Sequence, residues 1–539
     1  MDKLVSDDQA VALLNSGDTL TTAGFVGNGF PELLAIALEQ RFKSQHAPLD
    51  LTLVYAAGQG DGGERGLNHL AHPGLIKRVI GGHWGLVPSL GRMALDNQIE
   101  AYNLPQGVIS QLFRDIAAGR PGCLTHVGLH TFVDPRYDGG QLNNLTQEPM
   151  VELLEIGGTE QLFYKAFAIN VAFLRGTCSD RHGNITMERE ALPLDNLAMA
   201  QAVHNCGGTV IVQVEKIVEH HHLHPNMVKI PGILVDNVVL AEPQHHWQTF
   251  AEPFNPAYCG LLTQNQSASS NSAHEPSLPP LPLDLRKLIG RRALLELKAD
   301  SIINLGIGMP ETVAAVAAEE KLLDSVTMTI EPGGIGGIPA GGLSFGAVIN
   351  AQAMIDQSSQ FDFYDGGGLD QAFLGMAQVN AAGDVNVSRF GNRIAGAGGF
   401  INISQNAAEV YFMGTLVSGD SALTISNDQN TPGLSVKQEL DSDPVTAVKP
   451  RQVIQKFVTE IDHLTFNGRY AAERGQKVFY ITERCVFQLT IKGIELIEIA
   501  LGLDLERDIL QQMAFRPLIA NNLVRTDPRV YNRGDMGLK

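Results

Sequence analysis

Two stretches of this 539-residue chain follow one plan. Asp18 opens the run TLTT before Ala23 and Gly24, and Gly27, Gly29, Pro31, Glu32 and the apolar pattern LLAIALEQ follow. Asp300 opens the run SIINL before Gly306, and Gly308, Pro310, Glu311 and TVAAVAAEE follow. Each predicts a strand, a glycine turn and a helix, because proline suits the first helical position and a carboxylate suits the first turn. A second echo lies further along. Ala172-Phe173-Leu174 precedes Gly183-Asn184-Ile185 at the same spacing by which Ala372-Phe373-Leu374 precedes Gly383-Asp384-Val385. Two echoes in the same order predict a duplicated α/β domain. The stretch from Gln264 to Pro282, QNQSASSNSAHEPSLPPLP, is polar and rich in Ser and Pro, so it buries little and marks a boundary. The expected division is a first half over 1–263, a linker over 264–282 and a second half over 283–539.

Strand candidates are the β-branched or apolar runs at 51–57, 209–217, 325–331, 409–416 and 477–482. Helical readings fall between them, at LDLRKLIGRRALLELKA (283–299), DQAFLGMAQV (370–379) and RDILQQMAF (507–515). Strands interleaved with helices predict mostly parallel sheets covered by helices. On such sheets ligands sit where loops leave the carboxyl ends of the strands. The expected fold class is therefore α/β, with two homologous domains and the active site between the halves.

A net charge of −19 argues against a nucleic-acid footprint or a basic membrane patch. The five cysteines are odd in number and form no CxxC pair, which fits a reducing compartment without a zinc ribbon. The first residues lack a basic flank followed by an apolar core, so no signal peptide is expected. The uncharged run from Pro332 to Ile355 is full of Gly and carries Pro332 and Pro339, so it reads as packed loops and strands, not a membrane helix. The expectation is a cytoplasmic protein.

The chemistry candidates are framed by glycine. Thr327 to Ile330 form a β-branched run that ends on Glu331, and Pro332-Gly333-Gly334-Ile335-Gly336-Gly337 follow at once. Glycine lets a ligand approach the main chain, and successive N–H groups can bind an anion or a developing oxyanion. A carboxylate in that frame can act as a nucleophile; equally, it can cap a turn at a strand end. Ile394 to Phe400, with Gly396, Gly398 and Gly399 after the basic Arg389 and Arg393, is a second anion-type loop or a tight turn. Gly306-Ile307-Gly308-Met309-Pro310 leads into a helix whose N-terminus favours phosphate or carboxylate, or is simply a turn.

Other motifs fail their structural context. Gly58-Gln59-Gly60-Asp61-Gly62-Gly63 matches GxGxxG, yet residues 65 to 95 contain no Asp or Glu and Pro73 interrupts the expected helix. No P-loop is present. Gly342-Leu343-Ser344-Phe345-Gly346 matches the GxSxG elbow, but GGIGGIPAGG stands where the elbow needs a strand, and His463 is the sole later histidine. His220-His221-His222-Leu223-His224 lacks nearby Cys or paired carboxylates and reads as a solvated turn, not a metal site. Cys178 and Cys206 read as core thiols.

The assembled pieces resemble the family I CoA-transferases, in particular the fused, two-half acyl-CoA:carboxylate type related to propionate, short-chain and 3-oxoacid transferases. The resemblance rests on Gly24 to Glu32, Tyr102 to Gly107 and Gly128 to Arg136 in the first half. In the second it rests on Leu305 to Pro310, Glu331-Pro332-Gly333, Gly396 to Gly399, Ile481 to Arg484 and Ile499 to Asp504. It implies that Glu331 is the nucleophile. It further implies that Gly306, Ile307, Gly308, Met309, Pro310, Gly396, Gly398 and Gly399 contact CoA or the acyl oxyanion, and that Asn28 and Gln106 reach substrate from the first half. The implied reaction moves CoA from a short-chain acyl-CoA to a carboxylic acid through a glutamyl-CoA thioester, in short-chain fatty acid or acetoacetate metabolism. CoA is a substrate there, and no cofactor is permanently bound. The implied assembly is a homodimer or homotetramer, with no metal, nucleic acid or membrane partner. The rival readings are an acyl-CoA hydrolase on the same fold, a serine hydrolase using Ser344 and a non-catalytic CoA-binding regulator, against which the presence of Glu331 argues.

Overall fold

The computed structural model describes residues 3–219, 223–261, 280–419, 423–426, 432–436 and 453–538. The linker reading over 264–282, up to residue 279, and the histidines 220–222 lie outside the described residues. The chain forms two compact units. The first is Met1–Ser272, Met328–Gly366 and Ser388–Asn406; the second is Ala273–Thr327, Gly367–Val387 and Ala407–Lys539. The segments 328–366 and 388–406, which follow the linker in sequence, thus fold with the first unit.

The first unit is built on a parallel sheet. Its order is Leu4–Val5, Asn237–Leu240, Thr209–Val218, Val171–Asp180, Thr19–Thr22, Leu51–Tyr55, Ile76–Gly81 and Glu100–Asn103. Val171–Asp180 is buried along its entire length, as expected of a central parallel strand covered on both faces. The helix Asn196–Asn205 packs on this strand and on the helix Gln106–Ala117, which in turn meets Gln357–Asp365. The strand that ends at Ile330 pairs antiparallel with Gly334–Ile335, which pairs with Ala353–Met354.

In the second unit, Ile302–Leu305, Gln371–Gly375, Glu409–Met413 and Lys477–Ile481 run parallel, and Cys485–Thr490 and Gly493–Ile499 continue antiparallel. Phe373, Tyr411 and Phe479 stand in register on adjacent strands and stack, with centroid separations of 4.9 and 5.4 Å. The helix Leu285–Leu294 packs on Glu409–Met413 and Lys477–Ile481.

The second sequence echo is matched at the level of single hydrogen bonds. Gly183 N donates to Asp180 O at 3.0 Å, and Gly383 N donates to Asn380 O at 3.0 Å. His182 and Asn184 N–H groups close on Asp180 Oδ1; Ala382 and Asp384 N–H groups close on Asn380 Oδ1. The side-chain bridge is reversed. Asn184 Nδ2 donates to Asp180 Oδ2, while Asn380 Nδ2 donates to Asp384 Oδ2, both at 2.8 Å. One turn recurs with its acid and amide exchanged.

Two helix expectations fail. DQAFLGMAQV contains the strand Gln371–Gly375, not a helix. A central parallel strand is apolar on both faces, so its run carries no period of two to tell it from helix. RDILQQMAF is broken into the helical turn Leu505–Asp508 and a 3-10 turn at Leu510–Gln512. The backbone at Ile509 leaves helical space at φ −122°, ψ −68°.

A charged cluster ties the helix Glu32–Gln45 to the turn Leu67–Leu70. His69 Nδ1 lies 2.8 Å from Glu39 Oε2, His69 Nε2 lies 3.1 Å from Glu32 Oε1, and His72 Nε2 lies 2.8 Å from Glu39 Oε1. Burial pulls the His69 imidazole down, but the Glu32 and Glu39 carboxylates outweigh it and hold the ring above the ordinary histidine range. The stabilisation is therefore complete below the unfolded pKa, about 6.5, and is lost as pH rises through the higher folded value. His69→Gln is expected to lose roughly 1–2 kcal/mol at pH 6 and much less at pH 9. Denaturant midpoints of both proteins across that range check this, and a difference independent of pH contradicts it.

Candidate active site

The strand that ends at Ile330 delivers Glu331 half-buried into a tight turn. Gly333 N donates to Ile330 O at 3.1 Å, Ile355 N donates to Gly333 O at 2.9 Å and Gly336 N donates to Met328 O at 2.8 Å. Gly333 has φ +116°, and a Cβ there would stand 1.9 Å from the Ile355 carbonyl oxygen. Only glycine fits, so the backbone that carries the carboxylate is fixed by close approach. Behind it, Tyr364 Oη donates to Thr329 Oγ1 at 2.8 Å.

Asn28 is fully buried in the loop after Thr19–Thr22. Phe25 and Asn28 exchange backbone hydrogen bonds of 2.9 Å, with Val26 at φ +55° between them. Asn28 Nδ2 donates to Phe25 O and to Phe345 O, each at 2.8 Å. Both amide hydrogens are spent on carbonyls, and Oδ1 is enclosed without a partner. Asn28 therefore anchors the loop downstream of Glu331 and keeps only an acceptor for anything else.

Gln106 starts the helix Gln106–Ala117 and donates its backbone N–H to Gly398 O at 3.0 Å. The Gly396–Gly399 loop is held by a dense set of main-chain bonds. Gly396 N donates to Ser388 O at 2.9 Å, Ala397 N to Asn103 Oδ1 at 2.9 Å and Gly398 N to Gly82 O at 2.7 Å. These N–H groups are engaged within the protein, so the geometry gives Gly396 and Gly398 a shaping part. Gly396, at φ +77°, lies where a Cβ would come within 2.8 Å of Trp84 N.

Gly306, Ile307, Gly308, Met309 and Pro310 belong to the second unit. Gly306 N donates to Phe373 O at 2.9 Å, and Ile307 is exposed. Asn28, Gln106, Glu331, Gly396, Gly398 and Gly399 all lie in the first.

Several residues of this region carry no sequence motif. Asn103 is fully buried, and its Nδ2 donates to Gly81 O at 2.8 Å and Gly82 O at 2.6 Å. His83 sits against Gly58, Gly85 and Gly396, with Nδ1 enclosed and unpartnered. Burial first, and the Arg393 guanidinium second, hold this imidazole down to about 4, so it is neutral at ordinary pH. Asp195, Ser110 and Gln357 form a buried group beside Gln106. Burial pushes the Asp195 carboxyl up to about 7, although hydrogen bonds from Ser110 and Gln357 favour its ionised form. A spacing rule could find none of these, because their partners are remote in sequence.

Ser344 is buried, with its Oγ 2.8 Å from Thr249 Oγ1, and only the two-residue strand Ile338–Pro339 precedes its 3-10 turn. A hydroxyl partner supplies no base, which disfavours a nucleophilic serine. Gly58 to Gly63 lead into the 3-10 turn Leu67–Leu70, not the helix that a dinucleotide site needs. Among the described residues no group of three or more His, Cys, Asp or Glu could hold a metal ion, and no helix is long and apolar enough to cross a membrane.

Comparison with known proteins places this geometry. Residues 5–241 match the family model described as coenzyme A transferase. The chain is 42% identical to a caffeate CoA-transferase of Acetobacterium woodii over 545 residues, covering 100% of this chain and 99% of that one. It is 41% identical to the acetate CoA-transferase YdiF of Escherichia coli strain K12 over 536 residues, covering 99% and 96%. The crystal structure of the acyl-CoA transferase YdiF apoenzyme from Escherichia coli O157:H7 matches with a TM-score of 0.90 at 39% identity, covering 100% and 98%. A thioester complex of YdiF with CoA matches with a TM-score of 0.89. The chain belongs to the coenzyme A transferase family. It is an α/β enzyme that moves CoA between an acyl-CoA and a carboxylate.

The turn after Glu331 gives a direct test of its rigidity. Gly333→Ala adds a clash to an unfavourable φ and is expected to cost about 3 kcal/mol or more. Gly342→Ala, at φ +60° with nothing within 4 Å of the new Cβ, is expected to cost about 1–2 kcal/mol. Chemical denaturation compares the two; equal costs contradict the close-approach account.

Proposed function

We propose that this enzyme transfers CoA from a short-chain acyl-CoA of acetyl, propionyl or acetoacetyl type to a carboxylic acid acceptor, with Glu331 as the nucleophile. The observation that carries the reading is the placement of Glu331: a half-buried carboxylate at a strand end, on a backbone turn that only glycine permits. The thioester complex recorded for the similar YdiF structure supports it, as does the acetate specificity in that relative's name.

The steps balance without an outside reagent. A Glu331 carboxylate oxygen attacks the acyl carbonyl, the C–S bond breaks, and CoA thiolate leaves an acyl-glutamyl anhydride. The thiolate attacks the glutamyl carbonyl, and the first carboxylic acid departs as its carboxylate. Glutamyl-CoA thioester remains, and the acceptor carboxylate runs the same steps in reverse. Each attack builds an oxyanion, which fixed main-chain and amide dipoles stabilise more cheaply than reorganising water does. A carboxylate is a weak nucleophile towards a thioester, so binding energy from the rest of CoA must act at the reacting carbonyl. Water must stay out, because the anhydride hydrolyses.

The same reading takes 1–263 and 283–539 as homologous halves joined by the linker, with Gly306 to Pro310 contacting CoA from the second half. It takes the assembly to be a homodimer or homotetramer.

Incubation with acetyl-CoA or acetoacetyl-CoA, followed by peptide mass spectrometry, is expected to show a CoA adduct on the peptide that holds Glu331. Addition of a short carboxylate is expected to discharge it. Glu331→Ala and Glu331→Gln are expected to lose the adduct and at least about 10⁴-fold in kcat. An adduct discharged by water at the same rate with and without acceptor would make the protein a hydrolase. No adduct with any short acyl-CoA would remove the nucleophile assignment.

A further inference from the structure

The first turns of three helices meet at four buried polar side chains. Gln106 and Ser110 stand one turn apart on the helix Gln106–Ala117. Asp195 precedes the helix Asn196–Asn205, and Gln357 opens the helix Gln357–Asp365. Their relative exposures are 2% for Gln106, 0% for Ser110, 4% for Asp195 and 1% for Gln357. Gln357 Nε2 donates to Asp195 Oδ2 at 2.6 Å and to Ser110 Oγ at 2.7 Å. Ser110 Oγ donates to the same Asp195 oxygen at 2.8 Å. Gln106 Nε2 donates to Gln357 Oε1 at 3.1 Å.

The directions of these bonds are not interchangeable. Above its raised pKa the Asp195 carboxylate is ionised and only accepts, so the groups facing it must then donate. That requirement turns the Nε2 of Gln357 towards Asp195 and its Oε1 towards Gln106. Gln106 must then present Nε2 to Gln357, which leaves Oε1 on the side of Gly398, 3.6 Å from the position a Cβ there would take. A glutamine amide is nearly symmetric in shape, so packing alone does not choose between its two ends; a hydrogen-bond chain anchored on a charge does.

We propose that Asp195 and Gln357, with Ser110, are positioning residues for CoA transfer: the Asp195 carboxylate sets the direction of the Gln357 amide, and Gln357 sets which end of Gln106 faces the substrate. The proposal rests on the reading that Gln106 contacts substrate in the reaction run by Glu331. The Gln106 amide needs this control because a reversed amide replaces an acceptor with a donor at the same point in space. Supporting groups that orient a side chain in this way commonly govern activity without touching the reactants.

The test exchanges the charge between two partners. In Asp195→Asn the charge is gone and the new amide can accept from Gln357 Nε2 or donate to Gln357 Oε1, so the direction of Gln357, and with it that of Gln106, is no longer set. In the double variant Asp195→Asn/Gln357→Glu, the carboxylate introduced at position 357 accepts from the amide introduced at position 195, from Ser110 and from Gln106, so the original direction of Gln106 returns. Steady-state kinetics with acetyl-CoA and a short carboxylate, alongside thermal melting, read the outcome. Asp195→Asn is expected to lower kcat by about 10–100-fold while KM for acetyl-CoA changes by less than about threefold. The double variant is expected to recover kcat to within about fivefold of the parent.

A double variant no faster than Asp195→Asn, or Asp195→Asn within about threefold of the parent in kcat, overturns the proposal. If Asp195→Asn does not fold, Gln357→Met removes the acceptor for Gln106 without adding charge, and a kcat unchanged in that variant overturns it equally. The parent enzyme's CoA adduct separates the two readings. No adduct on Glu331 overturns both, whereas an adduct together with indifferent Asp195 and Gln357 variants removes the positioning role alone.

Discussion

The side chain of Asn103 is the joint on which the candidate site is assembled. It sits at the carboxyl end of the last strand of the parallel path, with no exposure. Its Nδ2 ties down the carbonyls of Gly81 and Gly82, and its Oδ1 receives the N–H of Ala397. Three residues later Gln106 opens its helix and bonds to Gly398, which itself donates to Gly82. A single buried amide thus locks a strand end, a helix start and a glycine loop to one another. Its three hydrogen bonds must all be made, since each buried polar group left unpaired costs roughly 1–3 kcal/mol. Close approach does the complementary work. Gly82 admits the Ala56 carbonyl to where a Cβ would be 2.0 Å away, and Gly333 does the same for Ile355 at 1.9 Å. Side-chain amides and missing side chains together fix a surface that loops alone would leave variable.

How much of this is legible in the sequence depends on the range of the interaction. The duplicated plan is readable because turn chemistry is local. Gly183 and Gly383 each need a left-handed backbone, at φ +81° and +86°, and each sits inside an Asx pair, Asp180 with Asn184 and Asn380 with Asp384. Glu331 is readable as a strand-end carboxylate before glycines, though not distinguishable there from a cap. The strand Gln371–Gly375 reads as helix because Ala372, Phe373 and Leu374 face buried surroundings on both sides and leave no alternation to detect. Gln106 and Asn28 come forward only through family resemblance. Asn103, His83, Asp195 and Gln357 are invisible to local pattern, since Gln357 meets Gln106 across 251 positions of sequence and Ala397 meets Asn103 across 294.

Burying Asp195 runs against stability, and the fold accepts it next to the candidate site. Desolvation raises its pKa, and only neutral donors oppose that shift. Elsewhere the same unit buries charge in compensated pairs. Arg175 and Glu190 lie 3.1 Å apart, and the carboxyl is held down to about 2 by Arg175 and His246 in spite of its burial. The contrast separates two uses of a buried carboxylate. Paired with a guanidinium it is a structural cross-link. Facing neutral donors alone, the Ser110 hydroxyl, the Gln357 amide and the Ser358 N–H, it imposes direction on them, because it can accept and never donate in its ionised form.

That distinction bears on why a carboxylate nucleophile needs so stiff a setting. A thiol or an activated serine brings its own reactivity; a carboxylate has little, so its rate must come from the geometry around it. In the proposed reaction each half-reaction uses the same atoms in reverse order, once with thiolate leaving and once with carboxylate leaving. There an oxyanion forms in both directions at nearly the same place, so one fixed setting lowers the barrier both ways. Close backbone approach at Gly333, a two-carbonyl anchor at Asn28 and the hydrogen-bond chain to Gln106 are the features that would hold that setting still. Preorganisation of this kind serves both directions at once, because the forward and reverse attacks pass through the same transition state.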